Sequence, residues 1–221
     1  MTIPEAPPIV DAILPRRRSR IIDSAVEIGT TVVLAVLLYL VIQTFLVGTY
    51  RVEQVSMLPT LEPDQHLLID KLTPHFDGYS RGDIIVFHPP DMPAGSTPYI
   101  KRVIGVAGDH IELRAGKVVV NGVALVEPYI SNDGPHHGAT EPIEPDFQTT
   151  WDVPAGTLFA MGDHRARSVD SRAFGVVAVD QVIGRAWLRF WPLGGGGIIQ
   201  VPTYPGVPDA PAPATSAAPC R

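Results

Sequence analysis

Gln54-Val55-Ser56-Met57-Leu58-Pro59-Thr60-Leu61 lies just beyond the one apolar run of membrane length in the chain. Pro59 fixes its own φ and biases Leu58 toward extended backbone, so the Ser56 hydroxyl is presented from a bent, non-helical segment. That geometry suits a nucleophile. Taken alone, Ser-x-x-Pro-Thr is equally an ordinary turn leading into a strand. The rest of the chain decides between the two readings.

Upstream, residues 1–20 carry Pro4, Pro7, Pro8 and Pro15, read as unstructured, and end in Arg16, Arg17, Arg18 and Arg20. From Ile28 to Val47 there is no charged residue. As a helix, a run of this length crosses roughly 30 Å of hydrocarbon. A cleavable export signal has a shorter apolar core followed by a small-residue cut site, and Leu46-Val47-Gly48-Thr49-Tyr50-Arg51 offers none. The arginines precede the run and only Arg51 closely follows it, so the positive-inside rule puts residues 1–27 in the cytoplasm and Ser56 outside. The expected organisation is a transmembrane helix over 28–47, an extracytoplasmic domain over 48–200 and a Pro/Ala-rich tail over 201–221, too poor in apolar bulk to fold.

Downstream, 23 prolines and 20 glycines among short Val- and Ile-rich runs indicate brief strands and turns, hence a mainly β domain. Strands are expected at 65–70, 84–87, 99–106, 110–113, 117–120, 123–126, 158–161, 174–179 and 182–191. Residues 127–151, rich in Pro, Gly, His, Asp and Glu, read as a long surface loop. The net charge of −6 and the lack of a basic stripe beyond the N-terminus argue against nucleic acid as a partner. Cys220 is the single cysteine, so no intrachain disulfide is available. His136-His137 point apart and lack further ligands at metal spacing, which favours a solvated loop over a metal site.

A serine nucleophile needs a base. Lys71 adjoins a Pro-containing loop and Lys117 a hairpin turn, where water keeps an amine protonated. Lys101 differs. In Tyr99-Ile100-Lys101-Arg102-Val103-Ile104-Gly105 the strand period puts Lys101 on the face of Tyr99 and Val103 and sends Arg102 to the other. Burial on that face lowers a lysine pKa and makes a neutral amine available.

Four motifs in order then resemble the type I (Sec-type) bacterial signal peptidases, the leader peptidases. They are Ser56-Met57-Leu58-Pro59-Thr60-Leu61; Arg81-Gly82-Asp83-Ile84-Ile85-Val86-Phe87; Tyr99 to Gly105 continuing through Gly108-Asp109; and Gly162-Asp163 with Ser168-Val169-Asp170-Ser171-Arg172. The resemblance implies Ser56 as nucleophile and Lys101 as general base, with Ser168 orienting the lysine amine. It makes Asp170 with Arg172, and Asp163 with Arg102, charge pairs that hold the site's shape, and gives the Ser56 N–H a place in the oxyanion hole. The implied fold is an antiparallel catalytic sheet, from residues near 50–108 and 157–193, with a smaller inserted β unit at about 109–156. The implied enzyme is a monomer in the bacterial cytoplasmic membrane near the export translocon. It cuts preprotein signal peptides after a small residue through an acyl-enzyme, with no cofactor and no metal.

Two positions depart from the family pattern. Gln54 stands where many members have Ser or Gly, so the second oxyanion donor is either its amide or backbone alone. His164 stands where Asn is usual and, beside Asp163, raises a Ser-His-Asp alternative. Met57, Leu58, Trp187, Phe190 and Trp191 are expected to dip into the outer leaflet or else to pack in the core. The rival function classes are a self-cleaving Ser-Lys peptidase of repressor type, which would need a DNA-binding domain, and a membrane-tethered binding module without catalysis.

Overall fold

The computed structural model describes residues 17–41, 47–90, 92–93, 95–133, 138–144 and 146–208. The chain divides into two units, Met1–Gln43 and Thr44–Arg221. His136, His137 and Cys220 lie outside the described residues.

The first unit is one helix, α1 (Arg17–Val41). It begins directly after Pro15-Arg16, and no proline interrupts it. At about 1.5 Å per residue, its 25 residues exceed the ~30 Å hydrocarbon layer. Side chains from Asp23 to Leu40 are all exposed within the unit, which fits a transmembrane segment. Its limits differ from the expected 28–47. The helix takes in part of the basic flank, so residues 17–20 are not irregular, and Val47 belongs to a strand because its backbone pairs with Asp70.

The second unit is built from two antiparallel sheets. The larger contains β1 (Val47–Arg51), β2 (His66–Asp70), β3 (Ile84–Phe87), β4 (Tyr99–Gly105), β9 (Thr157–Met161), β10 (Val177–Ala178), β11 (Val182–Trp191) and β12 (Gly197–Ile198). Its order is β1-β2-β11-β3-β4-β9-β10, with β12 paired to β11. The smaller sheet, ordered β7-β6-β5-β8, contains β5 (His110–Arg114), β6 (Lys117–Val120), β7 (Val123–Ala124) and β8 (Thr150–Asp152). The chain thus leaves the large sheet after β4, forms the smaller sheet and returns to the large one at β9.

Strand β3 is buried at every position, as a four-residue apolar run in the middle of a sheet should be. It pairs with β4 so that Ile85 faces Lys101 and Ile84 faces Arg102. The two sides of the large sheet carry separate cores, one around Met57, Leu67, Ile69 and Val86, the other around Ile85, Phe87, Val103 and Ala160. Trp151 and Phe159, with ring centroids 4.9 Å apart, join the smaller sheet to the larger one.

Three segments differ from expectation. Asp170 accepts the Arg172 N–H and starts the short helix α2 (Ser171–Phe174), so only Val177–Ala178 of the expected 174–179 strand pairs. Thr150–Asp152, expected at the end of a loop, completes the inserted sheet because Trp151 is buried there. Residues 201–208, expected to be disordered, are packed: Tyr204 and Val207 rest on the core of the inserted unit, and Pro202 lies against Gly82. Two apolar anchors suffice where proline has already reduced the entropy of the free chain.

Candidate active site

Ser56 sits in a single 3-10 turn, Val55–Met57, entered and left through extended backbone at Gln54 and Leu58. The extended Leu58 is the conformation that Pro59 imposes on its predecessor. Met57 is 1% exposed and anchors the turn in the core. The next residue back, Ser56, is directed toward β4. The first N–H groups of such a turn have no partner within it, which leaves the Ser56 N–H available to a ligand.

Lys101 is 1% exposed, and its Nζ donates to Ser56 Oγ at 2.8 Å and to the Ile100 carbonyl at 3.1 Å. The Tyr99 ring lies beneath the amine, 5.0 Å from its centroid, as two residues on one strand face should be. Burial pulls the Lys101 pKa from 10.5 down to about 8; Asp170 and Asp163 oppose that fall, and Arg172 adds to it. A serine hydroxyl is thereby in hydrogen-bond contact with an amine that can be uncharged near neutral pH.

Arg102, one residue on, projects to the other side of the sheet. Its Nε and Nη2 hold the two Asp163 oxygens at 2.9 and 2.7 Å, and its Nη1 donates to the Gly82 carbonyl at 2.9 Å. The Thr60 hydroxyl adds a bond to Asp163 Oδ2 at 2.5 Å, tying the serine segment to the same carboxylate. Asp170 and Arg172 form a second buried bidentate pair at 2.9 Å for both contacts. Burial pushes the Asp170 carboxyl up, but Arg172 and the Gly162 N–H more than offset this and hold it below the usual range. Both expected pairs are therefore buried, fully hydrogen-bonded and adjacent to the Gly162-Asp163 turn.

Ser168 differs from expectation. Its hydroxyl is close enough to Asp170 to help hold that carboxyl low, but it has no hydrogen-bond partner of normal geometry among the described residues, Lys101 included. His164 is buried, and among the described residues neither ring nitrogen has a hydrogen-bond partner. Its Nε2 stands 3.1 Å from Asp133 Oδ1, out of line for a hydrogen bond. Only its backbone meets the serine, donating to the Ser56 carbonyl at 3.0 Å. The imidazole is therefore not paired with Ser56 as a Ser-His-Asp base would be. Gln54 is exposed and lines a cleft of about 30 Å³ with Ser56, Met57, Thr97, Pro98 and Ile100.

Sequence reading missed the residues that support the Gly162-Asp163 turn from outside the motifs. Arg165 Nε donates to the Gly162 carbonyl at 3.0 Å, while its other nitrogens hold Glu127 and Thr140. Tyr129 lies over the Arg102 guanidinium at 4.1 Å. Both Glu127 and Tyr129 sit at the start of the segment read as a surface loop, and no local periodicity marks them.

A buried hydroxyl in contact with a buried, pKa-lowered amine is the arrangement required of a serine hydrolase whose base is a lysine. Residues 25–191 match the family model described as signal peptidase, peptidase S26, and the chain belongs to that family. It is 38% identical to a signal peptidase I of Leptolyngbya laminosa over 199 residues, covering 86% of this chain and 90% of the relative. It is 37% identical to a signal peptidase I of Bacillus caldolyticus over 164 residues, covering 72% and 87%. A crystal structure of a signal peptidase I from Enterococcus faecalis, 34% identical, covers 48% of this chain and 95% of its own, with a TM-score of 0.41.

Proposed function

We propose that this protein is a membrane-bound endopeptidase that removes signal peptides from exported preproteins, with Ser56 as nucleophile and Lys101 as general base. The observation that carries this reading is the 2.8 Å contact between Lys101 Nζ and Ser56 Oγ, both buried. A neutral Lys101 amine takes the Ser56 proton as the oxygen attacks the scissile carbonyl. The oxyanion that forms is met by the Ser56 N–H, with the Gln54 amide as the second candidate donor. The resulting lysine ammonium returns its proton to the departing amine, leaving an ester on Ser56. Water, deprotonated by the same amine, then releases the signal peptide.

The cleft beside Ser56 has about 30 Å³ of free space, enough for a methyl-sized side chain, which supports cleavage after a small residue. Helix α1 supports anchorage, and the arginines preceding its apolar stretch support a cytoplasmic N-terminus. Trp187, Trp191, Leu193 and Ile198 are exposed around the β11–β12 hairpin and support contact with the lipid interface. Met57, locked in the core, takes no part in that contact.

Preprotein processing by the purified protein in detergent tests the reading. Ser56→Ala and Lys101→Ala each abolish turnover if the pair acts as proposed. Substantial cleavage by Lys101→Ala would rule out the lysine as base.

A further inference from the structure

The family match ends at residue 191, yet the chain continues as an ordered strap across the domain. After β12, the Ile199 N–H donates to the Trp187 carbonyl at 2.9 Å, Pro202 passes over Gly82, and Tyr204 and Val207 settle on the inserted unit's core. The contact with Gly82 is close, since a Cβ there would lie 2.9 Å from the Pro202 carbonyl oxygen. Gly82 is also the residue whose own carbonyl receives Arg102.

The Tyr204 hydroxyl meets the Tyr129 hydroxyl at 2.6 Å, and Tyr129 in turn donates to the Glu127 carboxylate at 2.8 Å. An ionised carboxylate can only accept, so the single Tyr129 proton points to Glu127 and Tyr204 must be the donor to Tyr129. Glu127 also receives Arg165, whose Nε continues to the Gly162 carbonyl at 3.0 Å. A second branch leaves from the Tyr129 ring, which lies 4.1 Å over Arg102, the partner of Asp163. Both branches end on Gly162-Asp163, the turn that packs against the Ser56 carbonyl.

We infer that Tyr204 is a positioning residue: through its hydroxyl the C-terminal strap orders the Tyr129–Glu127–Arg165 chain and so fixes the Gly162 turn behind the nucleophile. This role rests on the Ser56–Lys101 reading. Among the described residues the strap makes no hydrogen bond to Ser56 or Lys101, and it reaches them only through the placement of the Gly162 turn.

The test uses the full chain in detergent, with kcat and KM for a preprotein measured well below the melting temperature of each variant. Tyr204→Phe keeps the packed ring and removes only the donor. The loss of one net hydrogen bond predicts a kcat lower by about two- to tenfold, with KM within about twofold of the parent. Tyr129→Phe lowers kcat further, and adding Tyr204→Phe to it has no additional effect because the shared contact is already gone. An unchanged kcat in Tyr204→Phe, a change confined to KM, or effects that multiply in the double variant would each overturn the inference. Turnover by Lys101→Ala would instead overturn the reading on which it rests, so the two failures are distinguishable.

Discussion

A Cβ added to Gly162 would stand 2.5 Å from the carbonyl oxygen of Ser56. The turn behind the nucleophile is thus in closer contact than any side chain permits, and it is fixed from both sides, by Asp170 at its N–H and Arg165 at its carbonyl. The same Cβ would collide with the Ser168 side chain, so Gly162→Ala must displace Ser168, the Ser56 backbone or both. Overpacking of this kind costs about 1–3 kcal/mol. A displaced nucleophile costs about a hundredfold in turnover. Thermal melts and preprotein kinetics on the same variant check both.

The acid limb of activity follows from Lys101. Only the neutral amine can accept the serine proton, so kcat/KM rises with pH through the lysine pKa of about 8. Asp170 raises that pKa, so Asp170→Asn shifts the limb to lower pH in whatever activity remains. A pH–rate profile of the two proteins gives the direction.

Burying this amine costs stability, and the sign is specific. Its pKa falls from 10.5 to about 8 on folding, so below pH 8 the folded protein carries the full cost of a buried ammonium. Between pH 8 and 10.5 the unfolded chain binds the extra proton, and stability rises with pH. At about 1.36 kcal/mol per pH unit, the cost at pH 7 is up to about 3 kcal/mol. Lys101→Met therefore stabilises the protein at pH 7 while abolishing turnover, and the gain fades by pH 10.5. Denaturant titrations at the two pH values measure it.

His164→Ala retains most of the parent turnover, because the ring nitrogens contact neither Ser56 nor Lys101 through a hydrogen bond. The backbone N–H that holds the Ser56 carbonyl survives the substitution. Loss of turnover as complete as that expected of Ser56→Ala would instead make the imidazole essential. Steady-state kinetics distinguishes the outcomes.

Much of this architecture is legible in the chain because it is governed by short-range rules. Alternation along Tyr99–Gly105 sends Lys101 and Arg102 to opposite faces, and Pro59 bends the segment carrying Ser56. Helix α1 is visible in composition alone, although its ends are not, since Val47 is claimed by pairing with Asp70 on a later strand. What remained hidden depends on long-range contacts. Tyr129 and Glu127 look like loop residues until Tyr204 and Arg165 arrive from distant parts of the chain. Residues 201–208 look too poor in apolar bulk to fold because their anchors are two isolated side chains. For Met57, the choice between lipid and core is made only by the cluster that receives it.

The charge state of one amine decides whether Ser56 can be activated. NMR titration of the Lys101 ε-methylene carbon in the folded protein reads it without reference to any substrate. The structure predicts a midpoint near 8, whereas a midpoint at the ordinary value of 10.5 would mean a solvated ammonium and contradict the proposal that Lys101 activates Ser56.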